Sequence, residues 1–352
     1  MKRRVLYLCG DMSRIGGIEK YNRDFIAALQ LAGVEVRTVQ RRVGGLVSKI
    51  RFVLNTLQVL FFFRPSYLVC GHIYFSPLAL IASTFLSLRY SLTLYGIEAI
   101  RIDNPLHRKA IWCADRVIVI SEYTKRLITS QFQLEPEKLH MLISSVDQDR
   151  YHVLPGREKI KAKFGLEGYP VVLTLSRLAS DEEKGQSRVL AAMPMVLERY
   201  PEARYVVAGP GTDERIDKVL ADYPDLTRNF VFIGPVSERQ KLELYNLCDV
   251  FILPSKNEGF GIVFIEALAC GTQVIASDAY GCREALRDGR LGDLVDPDNP
   301  VSISRAILSA LDVASSRDDQ QRASLRQYSL EIYGYRAWCD NVKKFAERMG
   351  AK

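Results

Sequence analysis

The sequence predicts an α/β protein built from two doubly wound parallel-sheet domains that face one another across a cleft. Three observations lead there. Short apolar runs alternate with amphipathic helical stretches along the whole chain, the signature of strand–helix–strand units. The runs fall into two sets of about six on either side of a charged stretch containing Pro and Gly. The length, 352 residues, corresponds to about two domains at roughly 150 residues each. A 48% hydrophobic and 25% charged composition is that of a globular protein and excludes a disordered, collagen-like or disulfide-scaffold chain.

In order, buried parallel strands are expected at Val5–Cys9, Val34–Val39, Tyr67–Cys70, Ser91–Leu94, Arg116–Ile120 and Leu139–Ile143. A second set is expected at Val171–Leu175, Ala203–Ala208, Phe230–Ile233, Val250–Leu253, Val274–Ala276 and Gly292–Val295. Amphipathic stretches such as Lys20–Ala32, Gln186–Arg199 and Gln240–Leu247 supply helices between them. The expected division is a Rossmann-like domain over 1–150, a linker over 151–168 carrying Pro155, Gly156, Gly165 and Gly168, a second Rossmann-like domain over 169–325, and a helical tail over 326–352 that crosses back to the first domain.

The charge is unevenly spread. Residues 1–150 hold 21 Lys/Arg against 12 Asp/Glu, and the remainder 27 against 29. The basic first half points to an anionic partner; its cations are not interleaved with aromatics as in a nucleic-acid module, so an anionic membrane surface is the expected one. The seven Cys include no C-x-x-C pair and mostly sit in apolar runs, as in a reduced, cytoplasmic protein without a zinc site. The N-terminal apolar run is too short for a signal peptide. Residues 65–88 are 24 uncharged residues in a row, but Pro65, Gly71 and Pro77 split them into a strand and a helix rather than a membrane span. Residues 49–64, KIRFVLNTLQVLFFFR, suit equally a helix lying in a membrane interface and a core helix with charged ends.

Three segments carry chemistry. The first, NEGFGIVFIEALACG at 257–271, follows an expected strand. Gly259 and Gly261 permit a tight turn, and a helix starting near Gly261 aims its unpaired N–H groups at whatever lies before it, a cradle for phosphate. Glu258 on the turn and Glu266 about one turn into the helix are placed to accept bonds from sugar and ribose hydroxyls. In the second segment, at 173–185, Arg177 and Lys184 bracket a loop at a strand's carboxyl end, where two cations could neutralise a diphosphate without a metal. The third is Gly16-Gly17, which opens a helix after the first strand; it is not the G-x-G-x-x-G dinucleotide fingerprint, yet it allows close backbone approach to a phosphate or sugar. The Asp147/Asp149 and Asp296/Asp298 pairs lie in turn-like segments, and no metal site is read from them.

These elements, in this order, resemble the retaining GT-B glycosyltransferases of family 4, over nearly the whole chain and most strongly at 170–300. Looser matches are GGIEKYNRDF at 16–25, VISEYTKRL at 119–127 and EALRDGRLGDLVDP at 284–297. The resemblance implies a metal-independent hexosyl transfer from a UDP- or GDP-linked sugar to a lipid-linked saccharide or surface polysaccharide precursor, at the cytoplasmic face of the inner membrane. It implies that Arg177 and Lys184 bind the donor diphosphate, that Glu258, with the amides of Gly259, Phe260 and Gly261, holds the donor sugar at the reacting centre, and that Glu266 holds the ribose. The donor would also lie against Gly16, Gly17, Val236, Gly259, Phe260, Gly261, Ile262 and Val263, and the acceptor against His72, Glu98 and Ser121.

The chain departs from the family pattern where a T-x-H-G segment is usual. Here Thr93-Leu-Tyr-Gly puts Tyr95 in the His position, and the resemblance implies a phenol donating one hydrogen bond to a donor-sugar hydroxyl. The usual Pro-Asn-Gly before Val-Asp is replaced by Ile143-Ser-Ser. The alternative reading is a catalytically silent nucleotide-sugar-binding or scaffold subunit of a glycan-assembly complex.

Overall fold

The structure is a computed structural model and describes residues 3–14, 16–178, 184–256, 258–316 and 319–349. It divides into two compact units, residues 1–145 with 336–352 and residues 146–335. Each contains a six-stranded, all-parallel sheet.

In the first unit the strands are β1 (Arg4–Gly10), β2 (Glu35–Arg41), β3 (Tyr67–Cys70), β4 (Arg89–Leu94), β5 (Arg116–Val119) and β6 (Leu139–Met141), in the order β2-β1-β3-β4-β5-β6. Helices α1 (Gly17–Leu31), α2 (Leu46–Phe63), α3 (Ser76–Leu86), α4 (Pro105–Cys113) and α5 (Glu122–Gln131) connect them. The central strands read as unbroken apolar runs because helices cover both faces: all of β3 and the body of β1 are buried. The edge strand β2 instead alternates and carries Glu35, Arg37 and Arg41, charges that discourage pairing with another chain.

The second unit starts with α6 (Arg157–Lys163) and continues through β7 (Val171–Leu175), α7 (Gln186–Leu197), β8 (Arg204–Ala208), α8 (Glu214–Asp222), β9 (Phe230–Gly234), α9 (Glu238–Leu247), β10 (Val250–Leu253), α10 (Ile262–Ala269), β11 (Gln273–Ser277), α11 (Tyr280–Ala285), β12 (Asp293–Val295), α12 (Pro300–Ser316) and α13 (Asp319–Tyr333). Its sheet order is β12-β11-β10-β7-β8-β9.

Residues 151–168 are not a linker. They hold α6, which packs on α9 within the second unit because Asp249 takes both Arg157, at 2.6 Å, and the buried Lys161, at 3.4 Å. The tail also differs from a single returning helix over 326–352. Residues through Tyr335 belong to the second unit, Arg326 donating to the carbonyls of Tyr151 and Gln148. Only α14 (Tyr335–Arg348), from Arg336 onward, belongs to the first. Its apolar stripe of Trp338, Val342, Phe345 and Ala346 is buried, with Trp338 edge-on to Tyr21 at 5.7 Å and Phe345 against Phe25 at 5.8 Å.

Phe345 also covers His140 on β6, the ring centroids 4.8 Å apart. Burial, helped by the Arg348 and Arg116 charges, lowers this imidazole to about 4. In the window between about 4 and the ordinary His value, the unfolded chain binds a proton that the native chain does not, so this site's stabilisation is lost as pH falls. Thermal melts at pH 7 and pH 5 are expected to show a smaller pH-induced drop for His140→Phe than for the parent protein. Equal drops would remove His140 from the acid response.

Residues 65–88 form β3 and α3, as the proline and glycine breaks require. The preceding α2 is long and apolar enough to cross a membrane by length and composition, yet only 17% of it is buried. Phe52, Thr56 and Leu60 alone face the core fully, so α2 packs on the sheet by one face and leaves the rest of its surface exposed.

Candidate functional site

In an open parallel sheet, ligands bind beyond the carboxyl ends of strands where the winding direction reverses. The second unit reverses between β7 and β10, which are neighbours, and the catalytic and diphosphate-binding candidates of this half converge there. Arg177 follows β7 and is exposed; Lys184 precedes α7; the turn from Glu258 to Gly261 follows β10 and leads into α10. Residues 179–183 and Asn257, parts of the same two segments, lie outside the described residues.

Local chemistry builds the turn. Gly261 caps α10 at φ 89°, a left-handed conformation, and a Cβ there would lie 2.3 Å from the Phe264 ring. Gly259, Phe260 and Gly261 are buried, while Ile262 and Val263 in the first turn of the helix are half-buried with their N–H groups at its open end. The Lys184 ammonium lies 3.0 Å from the Glu258 carboxylate, both side chains largely shielded. A diphosphate arriving here meets one fixed cation already held by a carboxylate and a helix N-terminus.

Glu266 sits deeper, at 2% exposure. Its Oε2 accepts from the Tyr245 hydroxyl at 3.0 Å and from Lys241 at 3.3 Å. Burial and the Glu266 charge raise the Tyr245 phenol well above its ordinary value, so it remains a donor throughout the physiological range. Tyr151, likewise raised by burial and by Glu266, donates to Glu238 at 2.8 Å, and Lys241 bridges to the same Glu238. Glu258 and Glu266 therefore carry separate cations. Sequence reading missed Lys241, Tyr245 and Tyr151; the i, i+4 spacing of Lys241 and Tyr245 on one face of α9 is the only local signal for them. Val236 lies just past the edge strand β9, half-buried.

Gly281 at the start of α11 braces the turn from behind. Its N–H donates to the Glu258 carbonyl at 2.9 Å, and a Cβ would lie 2.1 Å from the Gly259 carbonyl oxygen. Gly281→Ala must push the turn away, and overpacking of this kind costs about 1–3 kcal/mol. Nucleotide-sugar affinity is expected to fall at least about tenfold together with the melting temperature. Unchanged affinity in a calorimetric titration would mean that the turn does not hold the donor.

The first unit reverses between β1 and β3, and Gly16, Gly17 and His72 lie at that end of the sheet. Gly16 is the extended cap of α1, with Gly17 its first residue. His72, Tyr95 and Glu98 come together: the His72 ring stacks on Tyr95 at 6.1 Å, and the Glu98 carboxylate accepts from the Tyr95 N–H at 2.5 Å. The His72 Nδ1 accepts from the Tyr74 N–H at 3.1 Å, which leaves Nε2 as the protonated nitrogen of the neutral ring. Burial lowers the His72 pKa, outweighing the opposing pull of Glu98 and Glu19. Tyr95 does not present its phenol to a ligand. The hydroxyl is buried and donates to the Gly71 carbonyl at 2.9 Å, so its single proton is spent inside the fold. Ser121 is a helix cap: its Oγ accepts from the Thr124 N–H at 3.0 Å and is buried.

Among solved structures, sucrose-phosphate synthase from Thermosynechococcus elongatus superimposes with a TM-score of 0.84 at 18% identity, over 98% of this chain and 99% of that one. HepE from Anabaena, in complex with UDP and glucose, gives 0.74 at 18% identity over 98% and 99%. Both share the fold, the two-domain GT-B arrangement of parallel sheets. By sequence, a GDP-mannose-dependent alpha-(1-6)-phosphatidylinositol monomannoside mannosyltransferase of Mycolicibacterium smegmatis is 31% identical over 203 residues, 55% of this chain and 52% of that protein. The chain spans about half the length of the curated relatives it matches. The family described as glycosyl transferases group 1 matches from residue 156 to residue 329, a segment that contains α6 to β12, the Lys184–Glu258 pair and Glu266. Over residues 156–329, just under half of its length, the chain is similar to the glycosyl transferases group 1 family.

Proposed function

We propose that the protein is a retaining, metal-independent glycosyltransferase that moves a hexose from a UDP- or GDP-linked donor to a lipid-linked saccharide or surface polysaccharide precursor at the cytoplasmic face of a membrane. The observation that carries this reading is the meeting of Lys184, Glu258 and the α10 N-terminus at the β7/β10 reversal, with Glu266 buried one turn further on. The named activity of the mycolicibacterial relative and the UDP and glucose bound by HepE support the substrate class.

Breaking the bond between sugar and diphosphate builds negative charge on the diphosphate and positive charge on the anomeric carbon. Arg177, Lys184 and the first N–H groups of α10 stabilise the first, an electrostatic contribution fixed before the reaction starts. Glu258 holds the sugar and Glu266 the ribose hydroxyls. The departing diphosphate takes the acceptor proton on the same face, so the configuration is retained and no separate base is needed. His72 and Glu98 meet the acceptor.

The test is a calorimetric screen of UDP-, GDP-, ADP- and dTDP-sugars, then transfer assays with and without EDTA and an NMR assignment of the product anomer. Micromolar donor binding with EDTA-insensitive transfer and a retained anomer is the expected result. Inversion or EDTA sensitivity would overturn the mechanism. Donor binding with neither transfer nor slow donor hydrolysis would identify a nucleotide-sugar-binding subunit instead.

A further inference from the structure

On the far edge of the first unit, β2 and α2 enclose a groove of about 1050 Å³. This lies at the upper end of the range for small-molecule sites, about 300–1,000 Å³, and is far too large for an inorganic anion. Arg37, Arg42 and Arg51 line it together with Val59, Phe62 and Phe63, and no Asp or Glu does. The bias extends beyond the groove. From residue 36 to residue 97 the sequence carries seven Lys/Arg and no Asp or Glu, equal to the whole net charge of +7. Arg37 lies over the Phe63 ring at 5.7 Å, so cation and apolar wall are contiguous.

The outer face of α2 is of a different kind. Leu46, Ile50, Val53, Leu54, Leu57 and Phe61 are all at least 40% exposed and none of them lines the groove. At about 100° per residue they occupy one arc of roughly 100°, a continuous apolar ridge. A helix with such a ridge lies in the headgroup–acyl boundary with the ridge buried in hydrocarbon. The arginine-lined groove on its flank then opens at the level of the lipid phosphates, where each cation adds about 1 kcal/mol of attraction to an anionic leaflet.

We propose that this groove binds a single anionic phospholipid of the membrane surface, its phosphate on Arg42 and Arg51 and the start of an acyl chain against Phe62 and Phe63. The inference rests on the membrane-face reading above, but it concerns a defined lipid site rather than general adsorption. Arginine is suited to the task because its planar donors match phosphate oxygens in pairs.

The experiment titrates the full chain, without any sugar nucleotide, with dihexanoyl phosphatidylglycerol, dihexanoyl phosphatidylcholine and inorganic phosphate, all as monomers. Phosphatidylglycerol is expected to bind at least tenfold more tightly than either of the others. Arg42→Ser with Arg51→Ser, both surface positions, is expected to remove that preference, and Phe62→Ser to weaken phosphatidylglycerol while leaving phosphate unaffected. Equal binding of the two lipids, phosphate binding as tight as phosphatidylglycerol, or unchanged affinity in the double variant would each overturn the lipid site. So would self-association of the protein abolished by Phe62→Ser, which would make this face an interface between copies. Binding of phosphatidylglycerol by a protein that takes no sugar nucleotide would leave the groove standing and the proposed function lost; sugar-nucleotide binding without lipid binding would do the reverse.

Discussion

Lys184→Ala is expected to lower turnover by about 10²–10³-fold, the effect of removing one preorganised stabiliser of developing negative charge, about 2.7–4 kcal/mol. The ammonium faces the Glu258 carboxylate at 3.0 Å, so the substitution acts twice. It takes a cation from the departing diphosphate, and it leaves a mostly shielded carboxylate where that diphosphate must sit. The second consequence is separable. Glu258→Gln combined with Lys184→Ala is expected to recover part of the donor affinity lost in the single variant, because the uncompensated negative charge is gone. Turnover should stay low in both. A Lys184→Ala protein with donor affinity and turnover near the parent's would remove the diphosphate assignment.

Glu266→Gln is the second large effect. Tyr245 and Lys241 both engage Oε2, and the proposed function gives the remaining acceptor capacity to ribose hydroxyls. An amide of the same shape turns one oxygen into a donor, and hydrogen bonds to a charged group are worth about 1.5–3 kcal/mol each. Donor affinity is expected to fall by about 10²-fold, with UDP or GDP alone weakened as much as the sugar nucleotide, since the contact is to ribose. Lys241 keeps Glu238 at 3.2 Å, so the fold should survive with a lowered melting temperature. If free nucleotide bound normally while only the intact donor weakened, Glu266 would belong to the sugar and not to the ribose.

The sheets were legible because strands buried on both faces must be apolar throughout, and runs such as Tyr67–Cys70 and Val171–Leu175 leave little alternative between their turn residues. The turn at 258–261 was legible for a local reason too, since Gly-x-Gly before a helix has few other uses. What was not legible depends on partners far away in the chain. Residues 151–168 look like a linker until Asp249 is seen to capture Arg157 and Lys161. Tyr95 looks available for a ligand until its hydroxyl is found on Gly71, a residue 24 positions away. The support of Glu266 by Tyr245 and Lys241 joins two helices that no periodicity relates. For α2, composition could not decide which faces are covered, and only its exposure did.

The placement of α14 sets an order of assembly. The first unit comprises residues 1–145 and then 336–352, whereas the second is one uninterrupted stretch. A ribosome adding about 5–20 residues per second takes roughly 10–40 s to travel from Ser145 to Arg336. Throughout that interval Tyr21 and Phe25 lack the Trp338 and Phe345 rings that cover them. The unit whose synthesis starts first is thus the one completed last, with that aromatic face uncovered in between.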